Sequence, residues 1–366
     1  MPDSPENPLK KFAKKLLQWG PRCNEGDEKS QAFERQNFSR RRFLMAAGLG
    51  FLFCAAASET CAIDVKGVYY VPISKLARRF GMRYKTIVEG KRQKIYSQNF
   101  SMTFDVNKRD IDLNGVKVWL GHPVVEMGKE LYISSRDIEK TLTPIVFPKA
   151  SNVPPPLRHI MIDPGHGGKD KGAVSKTFGL FEKNLTLDIS SRLARYLRQS
   201  GYKVSFTRTK DVFVELTERT AKANSVNADL FISIHINAAG PAARGVETYS
   251  LTPKDQPSTN DSRFTVNDKR KFNGELQNSW NTLLAYYIQS ELKEAAFSED
   301  RGSRRARFAF LQDGKMPAAL VECGFISNDS EARKLSLASY RENIAKAIAD
   351  GIVRYAKTLQ RLNAKK

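Results

Sequence analysis

In "HIMIDPGHGG", His159 to Gly168, a short apolar run stops at Asp163-Pro164-Gly165 and presents His166 between glycines. The chain has only four histidines, and placing one of them on so tight a turn makes it a candidate metal ligand. His235 stands inside a second apolar run, "FISIHIN", and Glu322 inside a third, "PAALVECGF". By strand alternation Val321 and Cys323 face one way and Glu322 the other. An ionised carboxylate in such surroundings is costly unless it has a partner or loses its charge. Glu182, in "FEKNLTL" where a helical pattern begins, is a fourth candidate close to the loop after His166.

Two histidines and a carboxylate suffice for a catalytic zinc that leaves its fourth position to water. A second carboxylate would then supply the acid and base that hydrolysis needs. Each residue also has an ordinary use: His166 as a polar loop residue, His235 as a hydrogen-bonded core histidine, Glu182 as a favourable charge at a helix start, and Glu322 as the partner of a buried Lys or Arg. His122 and His159 read as structural or exposed, and Cys323 as a small core residue.

The elements that must bring these residues together alternate in type. "RHIMID", "YKVSFTR", "DLFISIHIN", "GVETYSL" and "AALVECGF" read as strands, whereas "KNLTLDISSRLARYLRQSG", "LTERTAKANSV", "NTLLAYYIQSELKEA" and "YRENIAKAIADGIVRYAKTL" carry apolar residues at helical spacing. This predicts an α/β fold, a mostly parallel twisted sheet with covering helices, over residues 157–366. In such a sheet, loops leaving the carboxyl ends of the strands converge on one crevice. Residues 62–148 read instead as short strands and turns, with an Asn-Gly hairpin signal in "DLNGVKV", and predict a smaller mainly-β domain. Between them "FPKASNVPPPL" predicts a semi-rigid, proline-rich linker at 149–156.

The first 57 residues read as a signal region: Ser39-Arg40-Arg41, then Phe43-Leu44, about fifteen weakly apolar residues, and small residues at Ala55 to Ala57. The pattern resembles a twin-arginine signal, and the apolar run is short for a membrane span of about 20 residues. After its removal no stable span is expected, and the protein is expected to be periplasmic or otherwise extracytoplasmic. Lys and Arg total 60 against 39 Asp and Glu, a net charge of +21. Residues 1–57 hold ten basic and six acidic residues, so the mature chain keeps a net +17. That surplus suits a polyanion. With no RNP-like motif, zinc-finger spacing or P-loop in the sequence, nucleic acid is not expected as the partner. Four scattered cysteines make no disulfide framework.

"IMIDPGHGGKDKGA", "FEKNLTLDISSRLARYLRQSGYKVSFTR", "ADLFISIHINAA", "GVETYSL" and "KMPAALVECGFISNDSEARKL" closely resemble the signatures of the zinc-dependent type 3 N-acetylmuramoyl-L-alanine amidases, in that family's order, from Arg158 to the C-terminus. The resemblance implies that His166, Glu182 and His235 are Zn2+ ligands and that Glu322 is the catalytic acid and base. It also implies cleavage of the amide between N-acetylmuramic acid and L-alanine in peptidoglycan, for wall remodelling or daughter-cell separation. Residues 62–148 resemble the N-terminal module of copper amine oxidases and are expected to act as a stalk or wall-binding domain. The sequence departs from the plainest members at Leu251–Gln277, a polar stretch rich in Pro, Asn and Asp. In some members an inserted helix here covers the zinc until an activator binds, whereas this insert reads as a loop. An activator is not identifiable from the sequence, and a monomer is expected. Other readings are a non-catalytic wall binder, which would have no use for Glu322, and a zinc peptidase cutting within the stem peptide.

Overall fold

The computed structural model describes residues 62–364 apart from Lys66, Ser151, Ser262 and Arg263. The twin-arginine reading falls on residues outside this range. Residues 63–150 form β1 (Ile63–Val65), β2 (Val68–Pro72), α1 (Ile73–Arg79), β3 (Arg83–Val88), β4 (Arg92–Tyr96), β5 (Ser101–Asp105), β6 (Asp110–Leu113), β7 (Val116–Trp119), β8 (Val125–Met127), β9 (Glu130–Ser134) and a run of short helical turns from Ser135 to Ala150. Then follow β10 (His159–Pro164), a small hairpin β11 (Val174–Ser175) and β12 (Leu180–Phe181), α2 (Glu182–Gln199), β13 (Lys203–Phe206), α3 (Leu216–Ser225), β14 (Leu230–Asn237) and β15 (Val246–Leu251). The chain closes with α4 (Asn278–Ala295), β16 (Asp300–Ala306), β17 (Ala318–Phe325), α5 (Asp329–Ser336) and α6 (Ala338–Asn363).

Strands β13, β10, β14 and β17 are parallel neighbours, as the alternating pattern predicts, and β15 joins β17 antiparallel while pairing with β16 in parallel. Strands β10, β14 and β17 are buried almost throughout because both faces are covered. Ile160, Ile162, Ile232, Ile234 and Val321 pack against α2, α4 and α6, through Leu185, Ile189 and Leu193, Leu284 and Ile288, and Ile344 and Ile348. These helical positions recur every three or four residues, one apolar stripe per helix. The other face is covered more thinly, by Ala223 of α3 and by Phe310 and Leu311 of the short turn Ala309–Gln312, over Met161, Phe231 and Leu320. His235 and Glu322 belong to this second face.

The antiparallel strands β3 to β7 have their own core, which Ile95, Phe104, Ile111 and Val118 share with Leu76 of α1. The change of pattern at the proline segment is nevertheless not a change of sheet. Ser303 of β16 pairs with Val118 of β7, so a single eleven-stranded sheet runs in the order β13-β10-β14-β17-β15-β16-β7-β6-β5-β4-β3. Across this seam Trp119 Nε1 donates to Arg301 O at 2.8 Å, Lys293 Nζ to Gly115 O at 2.7 Å, and Tyr286 of α4 is buried in the N-terminal core. The described residues from Ile63 onward form one compact unit. After β15 the described residues of 252–277 run as a loop with two 3-10 turns, Val266–Lys269 and Asn273–Gln277. Arg307 holds it through the carbonyls of Pro253 and Gln256, and Arg136 through that of Asp255.

Candidate metal centre

The carboxyl end of β10 delivers Pro164-Gly165-His166, and His166 takes a left-handed φ of 60°, a conformation few residues with a side chain adopt. The loop is pinned at Gly165, whose N–H donates to Ile234 O of β14 at 3.0 Å. A side chain at Gly165 would run into the His235 imidazole. The loop then returns past Gly172, at φ +62°, where a Cβ would lie 2.6 Å from Glu182 Oε2 and 2.7 Å from His166 Cδ2. Gly165 and Gly172 are therefore required by the close approach of His235, Glu182 and His166.

Glu182 is the first residue of α2 and is buried. Its Oε1 lies 3.0 Å from His166 Nε2 and 3.0 Å from His235 Nδ1. The same oxygen accepts from Ile236 N at 3.0 Å, and Oε2 accepts from Ala173 N at 2.8 Å. Burial opposes its charge, but the hydrogen bonds from His166 and His235 outweigh that and hold the carboxyl well below the usual carboxylate range. His166, Glu182 and His235 each offer one ligand atom, all within 4.8 Å of one another. Two imidazole nitrogens and a carboxylate oxygen at this spacing fit a divalent metal with N/O preference. Asp170 lies behind His166, its Oδ2 2.8 Å from Nδ1, so that Nε2 is turned toward Glu182. Sequence reasoning missed Asp170; an acidic residue four places after the histidine in the same glycine-rich loop was the available signal.

Glu322 is directly opposite His235 in the β14–β17 ladder and opposite Glu247 in the β17–β15 ladder. It is 9% exposed, and its Oε2 has no hydrogen-bond partner. Burial, with Glu182 and Glu247 adding like charge, pushes its carboxyl well above the usual range. The pairing of Glu322 with a buried Lys or Arg that the sequence allows is not made. The buried arginine nearby, Arg304, is engaged by Glu247 at 2.7 Å, and Glu247 also accepts from Arg301, Tyr249 and Asn237. Glu247 was not singled out from sequence. Phe310 stacks on His235, with centroids 6.0 Å apart and planes 7° apart, and Phe308 stacks on Phe310 at 5.7 Å.

The remaining candidates stand apart. Asp163 is fully buried, paired with Arg219 at 2.9 Å and accepting from Ser233 Oγ at 2.8 Å, and so anchors the strand end. His159 Nε2 meets Ser205 Oγ at 2.8 Å, and Cys323 packs in the core. His122 lies in the N-terminal segment beside Asp137, whose carboxylate accepts from its backbone N–H at 3.0 Å.

The chain is similar to several named amidases. LytC of Bacillus subtilis is 39% identical over 217 residues, which cover 58% of this chain and 39% of that protein. AmiC of Neisseria meningitidis is 34% identical over 54% of this chain and 53% of its own length. The chain is also similar to the uncharacterized protein YqiI of Bacillus subtilis, at 36% identity, with 54% of this chain covering 84% of that protein. The chain thus spans about half the length or less of the first two. Among solved structures, the amidase of Clostridium difficile 630 matches with a TM-score of 0.45 and 32% identity, covering 56% of this chain and 98% of that one. The catalytic domain of CwlV from Bacillus (Paenibacillus) polymyxa matches with a TM-score of 0.46 and 30% identity, covering 55% and 99%. The family model for N-acetylmuramoyl-L-alanine amidase matches residues 160–354, more than half of the chain and the stretch that holds all four converging residues, and the chain belongs to that family.

Proposed function

We propose that this protein is a zinc-dependent amidase that hydrolyses the bond between the lactyl group of N-acetylmuramic acid and the L-alanine of the stem peptide. The observation that carries the proposal is the convergence, inside the family-matched region, of three metal-type ligands with one unpartnered buried glutamate. His166, Glu182 and His235 would hold the ion. Zinc, when bound, lowers the pKa of its water and polarises the scissile carbonyl.

The chain's own residues do the rest. Asp170 keeps the His166 ring oriented. Glu322 takes the proton of the attacking water and delivers one to the alanine nitrogen as the C–N bond breaks. The upward push on its carboxyl favours that protonated, delivering form. The ion pair with Arg304 occupies Glu247, whereas Glu322 keeps an unpartnered oxygen with which to move protons.

The same reading includes export by the twin-arginine route, a stalk or wall-binding role for residues 62–148, and an anionic wall attracting the basic surface. Among the described residues no helix is long and apolar enough to cross a membrane. Export is tested by replacing Arg40 and Arg41 with Lys; precursor should stay in the cytoplasm, and continued export without that translocon would sink this part. The activity is tested by mass spectrometry of peptidoglycan digested with the purified chain. Glycan freed of peptide plus intact stem peptides is expected. Shortened stems would make it a peptidase, and unchanged peptidoglycan with zinc present would make it a wall binder.

A further inference from the structure

Two buried arginines stand behind the loop that carries His166. Arg219 is neutralised by Asp163 and also reaches His166 O at 3.2 Å. Arg208, 3% exposed, is held differently. Its Nε donates to Pro164 O at 2.9 Å and its Nη2 to Gly165 O at 2.7 Å, on the loop just before His166. The same Nη2 donates to Lys183 O at 2.8 Å, one residue after Glu182, and lies 3.2 Å from Thr186 Oγ1. Nη1 donates to Lys210 O at 3.1 Å. Thr186 Oγ1 in turn donates to Gly165 O at 2.9 Å, closing a bridge between loop and helix.

A guanidinium enclosed by carbonyl oxygens is an expensive way to fasten two segments, since a buried cation loses its hydration and these partners return only part of it. What this one accomplishes is specific: its planar fork spans two acceptor sets that no single ammonium could reach together. The two segments it joins are those that carry the first two candidate ligands. We propose that Arg208 is a positioning residue of the metal centre, its guanidinium fixing the separation of His166 and Glu182 by clamping the loop before one to the first helical turn after the other. The inference rests on the zinc reading of the site.

Zinc affinity of the full chain, wild type and R208K, is measured by competition with a chromophoric chelator, alongside far-UV circular dichroism and the visible absorption of the cobalt(II) form. Lys keeps the charge and loses the fork. With secondary structure intact, R208K should bind zinc about 10–100-fold more weakly, the usual range for residues that orient ligands, and its cobalt band should differ in energy or intensity. A residue of merely structural use would lower thermal stability and leave both metal readouts unchanged, and that result overturns the proposal. Should R208K not fold, T186V cuts the hydroxyl bridge without touching a charge: weaker zinc binding supports the clamp, and wild-type binding overturns it. If the wild type binds no zinc, or binds it equally after H166A and H235A, the zinc reading fails and takes the clamp with it. Wild-type binding that those changes abolish, with R208K unaffected, removes the clamp alone.

Discussion

Glu322 and Glu182 are two glutamates with opposite surroundings, and the roles proposed for them rest on the difference. Glu182 is encircled by donors and held ionised, whereas Glu322 is buried with a bare oxygen. Glu322→Gln keeps shape and removes the proposed base, so bound zinc and folding should persist while amide cleavage falls by about 10²–10⁴. Glu182→Ala should lose zinc first, with activity partly recovered in excess metal. Metal content and turnover on purified peptidoglycan, measured on both variants, check this. Loss of zinc in Glu322→Gln, beside full zinc in Glu182→Ala, would exchange the two assignments. The four residues were legible because each breaks an apolar run or opens a helix. Asp170 and Arg208 were less so, because an acid in a polar loop looks like any solvated residue and stays half-exposed beside His166, and an arginine after a strand looks solvated until the fold encloses it.

The helices behind the sheet set how firmly the strand ends are held. Helices α4 and α6 cross so closely that a Cβ at Gly351 would lie 2.7 Å from Ile288 Cα and 3.0 Å from its nitrogen. Both are backbone atoms, which cannot rotate aside. In an exposed helix Gly→Ala would stabilise by up to about 1 kcal/mol. Here overpacking should dominate and G351A should destabilise by roughly 1–3 kcal/mol, read as a lower midpoint in thermal unfolding. An unchanged or raised midpoint would mean that the two helices have room to part. The helical periodicity of "YRENIAKAIADGIVRYAKTL" reveals the apolar stripe, but a glycine within it reads only as a weak position until its neighbour is known.

The eleven-stranded sheet makes the N-terminal strands part of the same body as the site. Removing residues before 157 would strip β7 from β16 and leave a paired strand as an open edge. It would also take Lys140 O from Arg305, a buried arginine whose other partners include Asn278 and Thr282, and whose pKa burial pushes down to about 10. A chain of residues 157–366 should therefore melt lower than residues 62–366 and self-associate, as thermal scans and size-exclusion chromatography would report. Equal melting and a monomeric profile for both would show the seam to be dispensable.

Local pattern was enough to establish the alternating α/β order, the stretch that the amidase family model matches, the strand ends at which His166, His235 and Glu322 stand, and the loop character of the stretch after β15. Those features depend on side-chain periodicity and turn chemistry within a few residues, which the chain states openly. The β16–β7 ladder, the bridge by Arg208 and the partnering of Arg304 with Glu247 rather than Glu322 were decided only by the folded arrangement. Backbone hydrogen bonds between strands carry no side-chain signature, and a charged group chooses among partners far away in sequence only when the sheet has set their distances.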